Sequence, residues 1–145
     1  RRLLGIADAP TSTNFDKSEL TTVWGIQVHE SIADKLLALL KAASRDGIRL
    51  GGGGYRSSQS QINLRRAHCG TSNWAIYSKP SYQCRPPTAR PGASMHERGL
   101  AVDFTQNGRA LWSNTSGYRW LKQNGSKYGF RNLPSEPWHW STNGR

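Results

Sequence analysis

Residues 94–104 read SMHERGLAVDF and residues 136–140 read EPWHW. In the first stretch Leu100, Val102 and Phe104 alternate with Ala101 and Asp103, the period of a β-strand with one apolar face. Asp103 therefore leaves the small-residue face, with Ala101 giving room beside it, and Gly99 lets the chain turn between His96 and that strand. In the second stretch Trp138, His139 and Trp140 alternate again. Pro137 biases Glu136 towards extended backbone, which argues against a helical Glu-x-x-His arrangement. Each histidine thus belongs to a strand or the loop before one, with a carboxylate close by in sequence.

That company is informative because acidic residues are scarce. The chain carries 20 Lys+Arg against 9 Asp+Glu, a formal net charge of +11, and beyond Gly47 its acidic residues are Glu97, Asp103 and Glu136. All three fall in the two quoted stretches, which makes them candidates for a site. His29 and His68 have no such company and default to structural or surface roles.

Hydrolytic zinc needs three protein ligands and an open position for water. His96, Asp103 and His139 offer two imidazoles and a carboxylate, a set that suits zinc. A bound zinc lowers the pKa of its water towards about 7, and Glu136, displaced from His139 by the Pro-containing bend, is the candidate base for that water's proton. A tetrahedral intermediate needs positive charge on its oxyanion. Arg56, permanently charged and following Gly51-Gly52-Gly53-Gly54, is the candidate for it. Taken singly, each residue has an equally good structural role: a paired carboxylate, a loop histidine, a core imidazole, a surface ion pair. Their joint occurrence favours a site. The glycine run is not followed by Gly-Lys-Ser/Thr, so it is no phosphate loop; close backbone approach beside the site accounts for it better.

Around these residues the chain reads as one domain, residues 1–145, large enough for a core. Residues 1–22 lack periodicity and form an irregular lead-in. Ile32, Leu36, Leu39, Leu40 and Ala43 recur at helical spacing, predicting a helix over 31–43 capped by Ser31. Ile48 to Leu50 is a short strand. Ser58 with Gln61 fits a capping box for a helix over 59–66, and a third helix spans 118–123. Residues 68–92 hold both cysteines and four of the seven prolines, and read as a long functional loop. Cys69 and Cys84 do not have zinc-ribbon spacing. A disulfide is the better reading, contributing roughly 3 kcal/mol in the chain-entropy model; two buried free thiols are the alternative. A disulfide places the protein in an oxidising, extracytoplasmic compartment, secreted or wall-associated. No run approaches the length of a membrane span, and Met95 is the only methionine, so a processed form or excised domain of a longer protein is expected. The basic charge suits an anionic partner, cell-wall polymers included. No recognition motif supports nucleic-acid binding.

Together, Ser94, His96, Gly99, Ala101 and Asp103, then Glu136, Trp138 and His139, match SxHxxGxAxD and ExWH. This resembles the VanY-type D-alanyl-D-alanine carboxypeptidases of the LAS group of zinc peptidases. Gly54, Tyr55, Arg56, Ser57 and Gln61 echo a further stretch of that family. The resemblance implies an α+β fold, a small antiparallel sheet with helices packed against it. It implies one zinc held by His96, Asp103 and His139, Glu136 as base and Arg56 stabilising the transition state. It also implies bacterial cell-wall peptides containing D-amino acids as substrates, with Ser94, Gln61 and Trp138 at substrate-binding positions. Ser94 could equally brace the loop before His96, and the 68–92 segment carries nothing over. The family contains carboxypeptidases and endopeptidases, and the former is slightly favoured here. Signalling domains similar to it, such as the hedgehog amino-terminal domain, make a metal-containing binding module the other alternative, against which Glu136 and Arg56 both stand.

Overall fold

The computed structural model describes residues 15–145. Its elements alternate short strands and helices: β1 (Leu20–Val23), β2 (Ile26–His29), α1 (Glu30–Arg45), β3 (Leu50–Gly53), α2 (Ser58–His68), α3 (Asn73–Tyr77), β4 (Ala101–Gln106), β5 (Arg109–Ala110), α4 (Ser116–Asn124), β6 (Arg131–Leu133) and β7 (Glu136–Ser141). Strands β3, β4, β7 and β6 lie in that order, all pairs antiparallel, with β5 on the end of β4; β1 and β2 form a separate hairpin. This is the α+β architecture, a small antiparallel sheet with helices against it, that the family resemblance implies.

The alternation in β4 divides the molecule. Val102 and Phe104 are fully buried on one face, where they meet Leu36, Leu39 and Leu40 of α1, with Leu121, Phe130 and Trp140 completing the core. Each such leucine contributes about 1.5–3 kcal/mol by leaving water. The opposite face of β4 carries Asp103 towards a cleft, so one strand serves both core and site.

The first helix begins a residue earlier than its apolar period indicates, at Glu30, and Ser31 is not its cap. His29 Nδ1 accepts from the Ser31 N–H at 3.0 Å, because Glu19 holds the other ring nitrogen at 3.0 Å. Helix α2 likewise starts at Ser58 with Ser57 as its cap, accepting from Ser60 N–H, while the Ser58 hydroxyl donates to Glu97 at 2.7 Å. It continues to His68, and α4 runs two residues earlier and one later than expected. The short strand follows the glycine run, Leu50–Gly53, rather than ending before it.

The lead-in is not irregular throughout. Residues 1–14 lie outside the described residues, but Lys17–Glu19 form a 3-10 turn and Leu20 begins a hairpin closed by Trp24 and Gly25. Nor is 68–92 a featureless loop: it holds α3 and a further turn at Ser81–Gln83. The fully buried Arg65 organises it, donating to the carbonyls of Ala75, Ile76, Lys79 and Thr88 at 2.6–2.8 Å. Those bonds set main-chain dipoles around a buried charge. The Cys69–Cys84 disulfide closes the same segment. Among the described residues, no helix is long and apolar enough to cross a membrane.

Candidate active site

Strand pairing assembles the site. Asp103 on β4 is the register partner of His139 on β7 and of Gly53 on β3. Facing partners across an antiparallel pair project to one side, so Asp103 and His139 meet by sheet geometry. His96 arrives from the 3-10 turn Met95–Arg98, which ends in Gly99 at φ 71°, a left-handed conformation. A Cβ at Gly99 would also stand 2.6 Å from the main-chain nitrogen of His29, so both backbone and space favour glycine there. At Gly54 a Cβ would run into the Gln27 carbonyl. The main chain reaches the site through that narrow passage, and Gly54 O then meets the His96 ring.

His96 Nε2, His139 Nδ1 and Asp103 Oδ1 form a triangle with edges of 3.0, 3.0 and 3.2 Å. The far nitrogens of both rings are committed as donors: His96 Nδ1–H to Gly54 O at 2.7 Å, and His139 Nε2–H to the Arg145 main-chain oxygen at 2.6 Å. Neutral imidazoles so held have no proton on the nitrogens that face each other. Three lone-pair donors then converge on one point, an arrangement that calls for a cation. Two nitrogens and a carboxylate oxygen at these separations fit the tetrahedral preference of zinc, with bonds of roughly 2.0–2.2 Å. The outer hydrogen bonds do the orienting seen around metal-bound histidines. Among the described residues this is the group of histidine, cysteine and acidic side chains that could hold a metal.

Electrostatics follow the geometry. Burial pushes Asp103 up, but in the metal-free protein the His139 and His96 rings, which hydrogen-bond to it when a proton occupies the place of the cation, outweigh burial and hold the carboxyl well below the usual range. Burial pushes His96 down against the pull of Asp103. Burial also pushes His139 down, yet Asp103, the Arg145 oxygen and Glu136 carry it above its ordinary value. Glu136 is raised, chiefly by burial.

Glu136 and His139 are three apart, a spacing that points to opposite faces of a regular strand. The β6–β7 register breaks between them: Asn132 pairs with Trp140 but Leu133 with Glu136. Asn132 Nδ2 fills this bulge, donating to the carbonyls of Glu136 and His139 at 3.0 Å, with a longer contact to Pro137 O. The bulge re-aims one side chain, and both residues line the same cleft of about 550 Å³. Nothing in the sequence read alone marks Asn132, because its partners depend on which strand pairs with β7.

Arg56 also lines that cleft. Its Nε donates to Gln61 Oε1 at 2.9 Å, its main-chain N–H to His96 O at 3.0 Å, and Nη1 lies 3.8 Å from Asp103 Oδ2. Burial lowers the guanidinium's pKa, with Asp103, Glu97 and Glu136 opposing. Gln61, expected at a substrate-binding position, also borders the cleft. Its carbonyl holds Arg56, its amide donates to Ala89 O at 2.8 Å, and it is buried; both ends are committed to positioning. The Ser94 hydroxyl accepts from His96 N–H at 3.2 Å and caps the turn, which is the bracing alternative, although the residue also borders the cleft. Trp138 forms part of the cleft wall, edge-to-face with Trp112 at 5.2 Å.

Glu97 is a correction. Its buried carboxylate accepts from Gly92 N–H, Ser94 N–H and the Ser58 hydroxyl at 2.7–3.1 Å, tying the loop before His96 to α2. It carries structure, not chemistry. Glu97→Gln should turn one accepting oxygen into a donor facing main-chain N–H groups and cost about 2 kcal/mol. A thermal melt reads this, and an unchanged midpoint would contradict the assignment.

Comparison with known proteins shows the family. The family described as VanY, D-alanyl-D-alanine carboxypeptidase, matches residues 25–145. A D-alanyl-D-alanine carboxypeptidase of Enterococcus faecalis is 30% identical over 130 residues, covering 80% of this chain and 48% of its own length; the chain thus spans about half of that curated relative. Among solved structures, a mutant of the vancomycin-resistance D,D-pentapeptidase VanY in complex with Zn(II) superposes with a TM-score of 0.69 at 28% identity, covering 91% of this chain and 82% of that one. The LD-carboxypeptidase LdcB gives 0.66 at 25% identity, covering 90% and 71%. With a matching profile over most of its length and the convergent donors of β4, β7 and the turn before them, this chain belongs to the VanY family of D-alanyl-D-alanine carboxypeptidases.

Proposed function

We propose that this chain is a zinc-dependent peptidase acting on the stem peptides of peptidoglycan, as a D-alanyl-D-alanine carboxypeptidase. The observation that carries the reading is the convergence of His96 Nε2, His139 Nδ1 and Asp103 Oδ1, with their protons turned outward, in a cleft shared by Glu136 and Arg56. His96, Asp103 and His139 would hold one zinc, which supplies a Lewis acid for water and for the scissile carbonyl. Glu136 accepts a proton from the attacking water and returns it to the leaving amine. Its burial suits a carboxyl group that must do both. Arg56, anchored by Gln61, presents its fork to the negative charge that develops on the carbonyl oxygen. Trp138 and the Ser94 hydroxyl border the substrate.

Support from relatives is specific to them: one VanY structure holds Zn(II), and a related VanYB structure holds D-alanine-D-alanine. Residues 1–145 read as a single peptidase domain, extracytoplasmic by its disulfide. Its charge of +11 suits anionic wall polymers as partners.

An endopeptidase is the second reading, favoured by one observation. A shallower depression of about 670 Å³, lined by Gly53 to Ser57 and by Asn63, adjoins the cleft at Arg56, Leu64 and Asp103. A peptide could continue along it past the site. Mass spectrometry of stem pentapeptides and purified peptidoglycan after incubation decides. Loss of one D-Ala establishes the carboxypeptidase, an internal fragment the endopeptidase, and no product from zinc-loaded protein overturns both.

A further inference from the structure

The sequence reading leaves His68 as a structural or surface residue, but the structure brings it to the cleft wall. It is the last residue of α2, next to Cys69, and its carbonyl accepts from Arg85 N–H at 2.9 Å across the disulfide-closed segment. Its ring is not free to rotate. Nδ1 lies 2.8 Å from Thr88 Oγ1, and the buried Thr88 hydroxyl donates to Pro86 O at 2.8 Å. A hydroxyl has one proton. With that proton on Pro86 O, Thr88 Oγ1 must accept, so Nδ1 of the neutral ring carries the hydrogen and Nε2 carries a lone pair. Nε2 has no hydrogen-bond partner among the described residues.

Of the nitrogen-bearing and acidic side chains bordering the cleft, the others are donors, committed, or part of the reaction, while Ser81, Tyr82 and Ser135 bring hydroxyls that can donate as well as accept. Arg56 is a donor only, both ends of Gln61 are used, and the triad and Glu136 belong to the reaction. A neutral imidazole fixed in the Nδ1–H tautomer complements a donor on the substrate and rejects a carboxylate.

We infer that His68 is a specificity-determining residue, whose Nε2 accepts a hydrogen bond from a nitrogen donor of the stem peptide bound in the cleft. The inference rests on the peptidase reading above. The donor has two sources, the side-chain amine of the peptide's diamino acid and a main-chain amide. Thr88 is the positioning residue behind the ring.

Two measurements test it. In the full chain, long-range proton–nitrogen NMR of labelled histidines should find His68 as the neutral Nδ1–H tautomer; the Nε2–H tautomer would overturn the inference whatever the substrate. Calorimetry on the zinc-loaded Glu136→Ala protein then measures the affinity of a lysine-containing stem pentapeptide and of its norleucine analogue. Adding His68→Leu should weaken binding of the lysine peptide about tenfold, the scale of one hydrogen bond to a polar or charged partner. His68→Gln, which keeps an acceptor near the Nε2 position, should restore most of it.

A loss confined to the lysine peptide identifies the amine, and an equal loss with both identifies an amide. Unchanged affinity for both peptides overturns the inference. So does a His68→Gln protein that binds as poorly as His68→Leu while both melt lower, because that pattern describes a structural residue. If neither peptide binds the His68-intact Glu136→Ala protein, the proposed substrate class fails and this inference with it. The tautomer result then shows separately whether the ring was oriented as stated.

Discussion

Glu136→Ala should leave a folded, metal-binding protein whose turnover of stem peptides falls by about 10²- to 10⁴-fold, the usual contribution of a positioned general base. The residue is not part of the donor triangle, which is built by His96, Asp103 and His139, so metal content after dialysis should match the parent. Stability should not fall either. Burial raises the Glu136 carboxyl pKa, which means the charged form is less favourable in the folded protein than in the unfolded chain at neutral pH. Removing it relieves that cost, and the melting midpoint should stay level or rise, as expected of a group held for chemistry and not for the fold. Metal retained, melt unchanged and turnover lost is a combination that a surface ion-pair role for Glu136 cannot produce. A variant that keeps parental turnover would put the base elsewhere in the cleft.

Which parts of this were readable beforehand depends on whether the signal was local. The alternation Leu100–Phe104 is a property of consecutive residues, and it placed both the core face of β4 and Asp103 on the opposite side. The apolar period of α1 is equally local: all five residues it names are buried, with Ala42 beside them. The β1–β2 hairpin escaped because its turn is Trp24-Gly25, with Trp24 at φ 48°. A tryptophan in left-handed backbone conceals a two-residue turn that Asn-Gly would have advertised.

Scarcity of acidic residues located the site but could not sort its members. A carboxylate is equally useful to a metal and to a cluster of main-chain N–H groups, and Glu97 answers the second need. The cradle around Arg65 and the Asn132 clamp were illegible for a different reason. Arg65 is satisfied by carbonyls of residues 75–88, and Asn132 by carbonyls inside a bulge. Main-chain carbonyls have no residue signature, so only the fold reveals such partners.

Removing a donor from the triangle should have the largest effect on the metal. Asp103→Ala, and independently His139→Ala, should weaken zinc binding by more than about 100-fold, beyond the 10- to 100-fold typical of disturbing a residue behind the ligands. Competition with a chromogenic chelator measures this, and a variant retaining one equivalent after dialysis removes that residue from the ligand set. Asp103→Asn keeps the shape of the side chain and separates lost charge from lost packing. The same titration run against pH carries a second signature. His139 must be neutral to offer Nδ1, and its pKa lies above the ordinary value, so protons compete with zinc from a higher pH than usual. Affinity in the parent should fall about tenfold per unit as pH drops through that value, one proton being displaced per ion. The chelated protein should behave in the opposite sense. A histidine raised in the folded state adds stability that is fully present below its unfolded value and is lost as pH rises through its folded one, so the melting midpoint of the metal-free protein should fall across the pH range in which the metal binds more tightly. Opposed slopes for affinity and metal-free stability require one imidazole to be shared between a proton held against Asp103 and a cation in its place. Parallel slopes would show that His139 is not that group.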